Sequence, residues 1–261
     1  METEGKRRVG TRMKHYIITR LNLGRKDGGL SWCMERVGSI RDRIVPSLQA
    51  QTCQDFEYIV AIDAESNGEM VIALEHTLAP INSTIVYNEN STRFKEKTNS
   101  MCGTWLEYIK GLVPSGHRRV ITSRLDSDDF LLPGYVEKVQ EEANKCSVPT
   151  VIDFQNHMSV SDQTGEMFVS RAKVPTEACS VLEQSKNMKT AYGAAHTKLK
   201  RFIGNTVEIP SIMRWVKFMG SKQGHVGLAE EAMGIQCDLT TYDEFINTLK
   251  RKRKWAKRCG L

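Results

Sequence analysis

A mostly parallel α/β sheet flanked by helices is the fold this sequence predicts, and three observations predict it. β-Branched runs alternate with amphipathic helical patterns from residue 14 to residue 148. Polar side chains, Arg20, Asn22, Asp63 and Asp126, fall at the ends of those runs, where sheets of this kind bind ligands. A length of 261 residues, 40% hydrophobic and 26% charged, suffices to bury a sizeable core without disulfides or metal staples.

The elements follow in order. KHYIITRLN, residues 14–22, reads as a first strand and runs into the polar loop RKDGG. From Ser31 onward Cys33, Val37, Ile40, Ile44 and Leu48 recur three to four apart, which predicts a helix ending near AQTCQD. FEYIVAID is a second strand closing on Asp63. A short helix over residues 70–78 leads to a third strand, STIVYNE. Phe94, Thr98, Met101, Trp105, Tyr108 and Leu112 mark a long amphipathic helix. The fourth strand, RRVITSRL, opens into the acidic cluster Asp126, Asp128 and Asp129, and Val136, Val139, Ala143 and Cys146 mark the next helix. Beyond Thr150, TVIDFQNHMSV and MFVSR predict an antiparallel hairpin. The expected organisation is a short N-terminus (1–13), a nucleotide-type half (14–148), a second half of the same domain that completes the pocket (149–249) and a basic tail (250–261).

Charge and cysteine usage narrow the function classes. The net charge is +6, yet KRKRKWAKR, residues 250–258, carries seven positive residues and no negative one, which leaves the rest of the chain at −1. A near-neutral body with a basic tail is not a basic binding face, and no aromatic and basic residues interleave, so nucleic acid is an unfavoured partner. The tail suits a peripheral contact with anionic membrane, Trp255 sitting at the interface, as well as it suits plain solvation. Seven scattered cysteines without a CxxC pair point to free thiols. With no apolar run near membrane-spanning length and no signal-type segment behind the basic N-terminus, a cytoplasmic protein is expected.

Crowded carboxylates at a strand end are stable when a cation or water neutralises them, and Mg²⁺ or Mn²⁺ suits oxygen ligands completed by substrate phosphates. Asp126 and Asp128 point to one side if the backbone is extended, while a turn lets all three converge. Helix capping does not explain them: Pro133 at the first helical position leaves Leu132 as a poor cap. A calcium loop is excluded by Leu131 in the glycine place. The residues alone leave a cation site and a plain acidic turn equally open.

AQTCQDFEYIVAID, residues 50–63, and SRLDSDDFLLPGYVEKV, residues 123–139, resemble the donor-binding elements of the GT-A fold glycosyltransferases that use nucleotide-sugar donors. With LSWCMERVGSI and VPSLQAQT, the chain is most similar to the rhamnosyltransferase family, over roughly residues 14–235. The resemblance implies an enzyme transferring a sugar, rhamnose by the family's name, from a nucleotide-diphosphate donor to a glycan or lipid-linked acceptor with inversion. It implies that Asp63 contacts the donor's base or ribose, that Asp126 sits near ribose and metal, and that Asp128 is the principal ligand of Mn²⁺ or Mg²⁺. Ala64 stands where that family often has a second Asp.

Inversion needs a carboxylate to take the acceptor's proton. Of Asp153, Glu177, Glu183, Glu230 and Glu231, the expectation falls on Glu183, in CSVLEQS, where the resemblance continues. His196 is a candidate third metal ligand and His225 a candidate metal or diphosphate contact. Arg20 and Arg124, beside strand ends, are placed to hold phosphate oxygens. Trp32 and Trp105 read as packing and Trp215 as an acceptor-side wall. Two rivals stand beside the transferase: a sugar-phosphate nucleotidyltransferase, disfavoured because DGGL at residues 27–30 lacks the further glycines and the basic residue, and a non-enzymatic nucleic-acid binder using the tail.

Overall fold

The computed structural model describes residues 13–23, 29–88, 104–114, 118–161, 167–171, 175–209 and 215–219. The basic tail, His225, Glu230 and Glu231 lie outside the described residues. Eleven strands and six α-helices occur among those described. The first half alternates β1 (Met13–Arg20), α1 (Gly29–Ser39), a π-helical turn (Ile40–Ile44), α2 (Val45–Gln49), β2 (Glu57–Asp63), α3 (Gly68–Leu78), β3 (Ser83–Asn88), α4 (Thr104–Leu112) and β4 (Arg119–Arg124). Then come β5 (Phe130–Leu131), α5 (Tyr135–Lys145), β6 (Thr150–Asp153), β7 (Asn156–Ser161), β8 (Met167–Arg171), β9 (Ser180–Gln184), α6 (His196–Ile203), β10 (Thr206–Glu208) and β11 (Trp215–Met219).

The main sheet has the order β10-β6-β9-β4-β1-β2-β3. β3, β2, β1 and β4 are mutually parallel, while β9 runs antiparallel to both β4 and β6. A smaller sheet, β5-β11-β7-β8, contains the predicted hairpin as β7 and β8. The expected single strand TVIDFQNHMSV is instead two: TVID joins the large sheet and NHMSVS the small one. The chain therefore turns from one sheet to the other at Phe154 and Gln155.

Both faces of the large sheet are covered, as parallel strands demand. Ile17, Tyr58, Val60, Ile62 and Ile121 face one side, where Ile40, Ile44, Leu48, Met70, Leu74 and Val139 pack on them. Tyr16, Ile18, Ile59, Ala61 and Val120 face the other, against Ile109, Met188 and Tyr192. The alternation along β1 assigns neighbouring residues to opposite cores. Burying each such aliphatic side chain contributes roughly 1.5–3 kcal/mol of transfer free energy.

Helix α5 begins later than the Pro133 pattern predicts. Its N-cap is Gly134, with φ 79°, a left-handed conformation glycine adopts without strain. The first-turn amide of Val136 is satisfied from elsewhere: Gln51 Oε1 accepts it at 3.2 Å, while Gln51 Nε2 donates to Leu132 O and Ser47 O. One buried glutamine thus joins the end of α2 to the segment that follows the acidic turn. Among the described residues no helix is long and apolar enough to cross a membrane.

Candidate active site

The sheet order makes the position between β1 and β4 a topological switch point: successive strands leave β1 in one direction and β4 lies on its other side. Ligands bind such sheets in the crevice beyond the carboxyl ends at that point. Arg20 ends β1 and Arg124 ends β4, so the switch point is flanked by two guanidinium groups. Next along the rim, Asp63 ends β2, and its amide donates to Asn22 Oδ1 at 2.9 Å. Asp63 Oδ1 accepts from Glu65 N at 2.9 Å, which folds the loop after β2 back on itself. Asn88 ends β3, in register with Asp63. These positions follow from strand direction alone, and the sequence pattern anticipated all of them but Asn88.

The acidic cluster forms a turn, closed by Asp129 N donating to Asp126 O at 3.2 Å. Its three side chains do not converge. Asp126 faces Arg124, with Oδ1 3.6 Å from Nη2. Asp128 faces the other way, toward α1, where Arg36 Nη1 lies 2.5 Å from Oδ2 and Arg43 Nη1 donates to its backbone carbonyl at 3.2 Å. Arg36 rests over Trp32, 5.2 Å from the ring centroid. Asp129 is buried. Like charges in a tight turn separate, and each of these two finds its own arginine.

His196 does not join Asp126 and Asp128 as a third metal ligand, and among the described residues no three His, Cys, Asp or Glu side chains gather as a metal site. It opens α6 and lies 4.0 Å from Glu177 instead. The donor set that remains, Asp126 and Asp128, is one of hard oxygens on a partly exposed rim. With the two turned apart, either one fits a divalent ion of the kind held by a single carboxylate and completed by substrate phosphates, rather than a closed protein cage.

Glu183 does not reach the rim either. It pairs with Val120, toward the start of β4, because β9 runs antiparallel to β4 and so points its later residues away from the crevice. Both its carboxylate oxygens are engaged, accepting from Lys189 N and Thr190 N at 2.8 Å each. The carboxylate the fold does deliver is Glu177, which precedes β9 at the rim end. Lys217 Nζ donates to Glu177 Oε1 at 2.7 Å, and Lys217 is in turn close enough to Asp129 and Asp126 to be stabilised as a cation by them. Burial by itself would raise the Glu177 carboxyl, but Lys217 outweighs it and holds the group below its ordinary 4.5. Burial lowers His196, against the pull of Glu177.

Trp215 is no acceptor-side wall. It is fully buried, stacked on His157 with centroids 4.5 Å apart, and its Nε1 donates to Phe154 O at 3.3 Å. Asp153, another candidate base, is buried behind Thr176, whose amide and hydroxyl both donate to Oδ1, at 2.9 and 2.7 Å. Burial raises its carboxyl from 3.8 to about 6, although Thr176 opposes the shift. The folded chain therefore holds this proton more tightly than the unfolded one. Above pH 6 the buried charge costs on the order of 3 kcal/mol, a cost relieved as pH falls from about 6 toward 4. Asp153→Asn, which can still accept from Thr176, is expected to raise the melting temperature at pH 8 and to change it little at pH 4. A larger gain at pH 4 would contradict this account.

Sequence reasoning missed Arg36, Lys217 and Tyr192 entirely. Tyr192 is fully buried beneath the switch point, with the guanidinium carbons of Arg20 and Arg124 at 4.8 and 4.6 Å from its ring centroid. No local pattern marks it, since it joins the site only through a contact of long sequence separation.

Residues 31–225 match the family described as "Putative rhamnosyl transferase". No curated protein matches the sequence. Among solved structures, the chain is similar to a "putative nucleotide-diphospho-sugar transferase" from Desulfovibrio desulfuricans G20, at 10% identity and a TM-score of 0.36 over 79% of this chain and 80% of that one. It is similar to HddC from Yersinia pseudotuberculosis, at 11% identity and a TM-score of 0.38 over 80% of this chain and 90% of that one. A third likeness is to GalNAc-T7 solved with UDP, GalNAc and Mn²⁺, at 10% identity and a TM-score of 0.42 over 90% of this chain and 48% of that one.

Proposed function

The chain belongs to that rhamnosyl transferase family of glycosyltransferases, and from this premise we propose that its rim holds a nucleotide-diphosphate sugar for transfer to a glycan or lipid-linked acceptor with inversion. The observation that carries the reading is the pairing of Arg20 and Arg124 across the switch point, beside the acidic turn and above a parallel sheet. Arginine suits a diphosphate because its planar fork donates two parallel hydrogen bonds to phosphate oxygens. Asp63, at the end of β2, is assigned to the base or ribose, and Asp126 to the ribose edge. Asp128 is the position assigned to Mg²⁺ or Mn²⁺, one carboxylate sufficing for an ion that substrate phosphates complete.

Breaking the bond between sugar and diphosphate places negative charge on the departing nucleoside diphosphate. Arg20 and Arg124 neutralise that charge from fixed positions, so little reorganisation is needed as it develops. A bound divalent ion would supply further charge neutralisation on the same oxygens. The acceptor hydroxyl attacks the anomeric carbon from the opposite face and gives its proton to a carboxylate. We assign that base to Glu177 rather than Glu183, because Glu177 is at the crevice end of β9 and is ionised at neutral pH. Rhamnose is the transferred sugar by the family's description.

A thermal-shift and calorimetric panel of dTDP-, UDP- and GDP-sugars with Mn²⁺ tests the reading. One base series is expected to stabilise the chain, with binding lost on chelating the metal. Release of pyrophosphate from a nucleoside triphosphate and a sugar phosphate would instead make the protein a nucleotidyltransferase.

A further inference from the structure

Two guanidinium groups share one aromatic ring at the switch point. Like charges brought to a single ring repel, and the ring's attraction for each is modest. Arg124 is buried, the carboxylate of Asp126 stands 3.6 Å from its Nη2, and its Nε has no hydrogen-bond partner among the described residues. A buried cation with an unspent donor and a loosely held carboxylate is suited to an anion arriving from the crevice. The ring beneath is fixed from both sides of the switch point: the Tyr192 hydroxyl lies 3.1 Å from Ile18 O, to which it donates, and 3.4 Å from Leu125 O.

The chain reaches Tyr192 through a strained turn. Thr190 has φ 69°, and among the described residues it is the one non-glycine with positive φ. A β-branched residue avoids this region, and such strain persists only where the surroundings over-determine it, most often at functional positions. The surroundings here are explicit. Glu183 accepts from Lys189 N with one oxygen and from Thr190 N with the other. Thr122 Oγ1 accepts from Ala191 N at 2.8 Å, and Thr190 Oγ1 from Tyr192 N at 3.2 Å. At Gly193 an added Cβ would lie 2.7 Å from Lys189 O, so the turn closes only with glycine there. Five consecutive residues are thus held in one conformation, and its product is the placement of the Tyr192 ring.

We propose that Tyr192 is a positioning residue for the donor diphosphate: its ring fixes Arg20 and Arg124 side by side at the switch point, and Glu183 serves it by clamping the strained turn. The proposal rests on the donor-site reading above. It also gives Glu183 a role other than base, acting at a distance through backbone hydrogen bonds.

Calorimetry of inorganic pyrophosphate with Mg²⁺ on the full chain tests it, because pyrophosphate probes the diphosphate site without the base. Tyr192→Phe loses the hydroxyl's contacts but keeps the ring and the turn that places it, and is expected to bind within about threefold of the unmodified protein. Tyr192→Met, of similar bulk without a ring, and Glu183→Gln are each expected to weaken binding by about tenfold or more, as is Arg124→Gln. Tyr192→Met binding like the unmodified chain while Arg124→Gln does not would overturn the positioning role and leave the donor site standing. Pyrophosphate that does not bind, or that binds equally to Arg20→Gln and Arg124→Gln, would remove the donor site itself. Should Tyr192→Met fail to melt cooperatively, Glu183→Gln decides: unchanged affinity there sinks the proposal.

Discussion

Asp128→Asn is expected to abolish the metal dependence of nucleoside diphosphate binding and to lower turnover by about 10²–10³-fold, the usual effect of removing one electrostatic contributor to a transition state. The fold is expected to survive. Asp128 and Arg36 are each about one fifth exposed, at 20% and 19%, and an amide oxygen in place of the carboxylate can still accept from Arg36. The neutral amide keeps the backbone carbonyl that Arg43 holds. The measurement is a Mn²⁺ titration of nucleoside diphosphate binding, read beside a thermal melt of the same protein. Equal metal-dependent affinity in the variant would end the metal role of Asp128. A large fall in melting temperature would mean that the Arg36 contact is structural first.

Glu177→Gln is expected to lower kcat by about 10²–10⁴-fold while donor affinity changes little, since a base touches the acceptor's proton and not the diphosphate. The pH profile separates this from a packing defect. Glu177 sits below its ordinary 4.5 because Lys217 outweighs its burial. A base must be ionised to act, so the acid limb of the kcat profile is expected below pH 4.5, and activity holds steady from there into the neutral range. Lys217→Met removes the cation and leaves burial opposed by His196 and a backbone hydrogen bond alone. The carboxyl then rises, and the acid limb moves upward with it. An unmoved limb in Lys217→Met, or full turnover in Glu177→Gln, would send the search for the base elsewhere. Glu183→Gln is expected to leave that limb in place, its loss appearing in donor affinity.

The contrast between Glu183 and Glu177 shows what local pattern can and cannot carry. Both residues were visible in the sequence as carboxylates of the second half. Choosing between them required the direction of β9, which no periodicity encodes. A strand laid parallel to β4 would have brought Glu183 toward the crevice. Laid antiparallel, it brings the residue three positions before its start and turns Glu183 into a backbone clamp. The acidic turn teaches the same lesson on a shorter scale. Its position was legible, but the divergence of Asp126 and Asp128 depends on Arg124 and Arg36, the latter 92 residues distant from Asp128 in the chain.

The sequence by itself determined the alternation of strand and helix, the parallel core of four strands, and the presence of Arg20, Asp63, Arg124 and Asp126 along one rim. Those features follow from hydrophobic periodicity and from the rule that every parallel strand ends on the same side. Tertiary structure alone decided the direction of β9, the burial of Trp215, the placing of His196 beside Glu177, and the ring of Tyr192 under two arginines. Each of these is a pairing between segments far apart in the chain, set by which backbone hydrogen bonds and which charges remain to be satisfied once the local elements have formed.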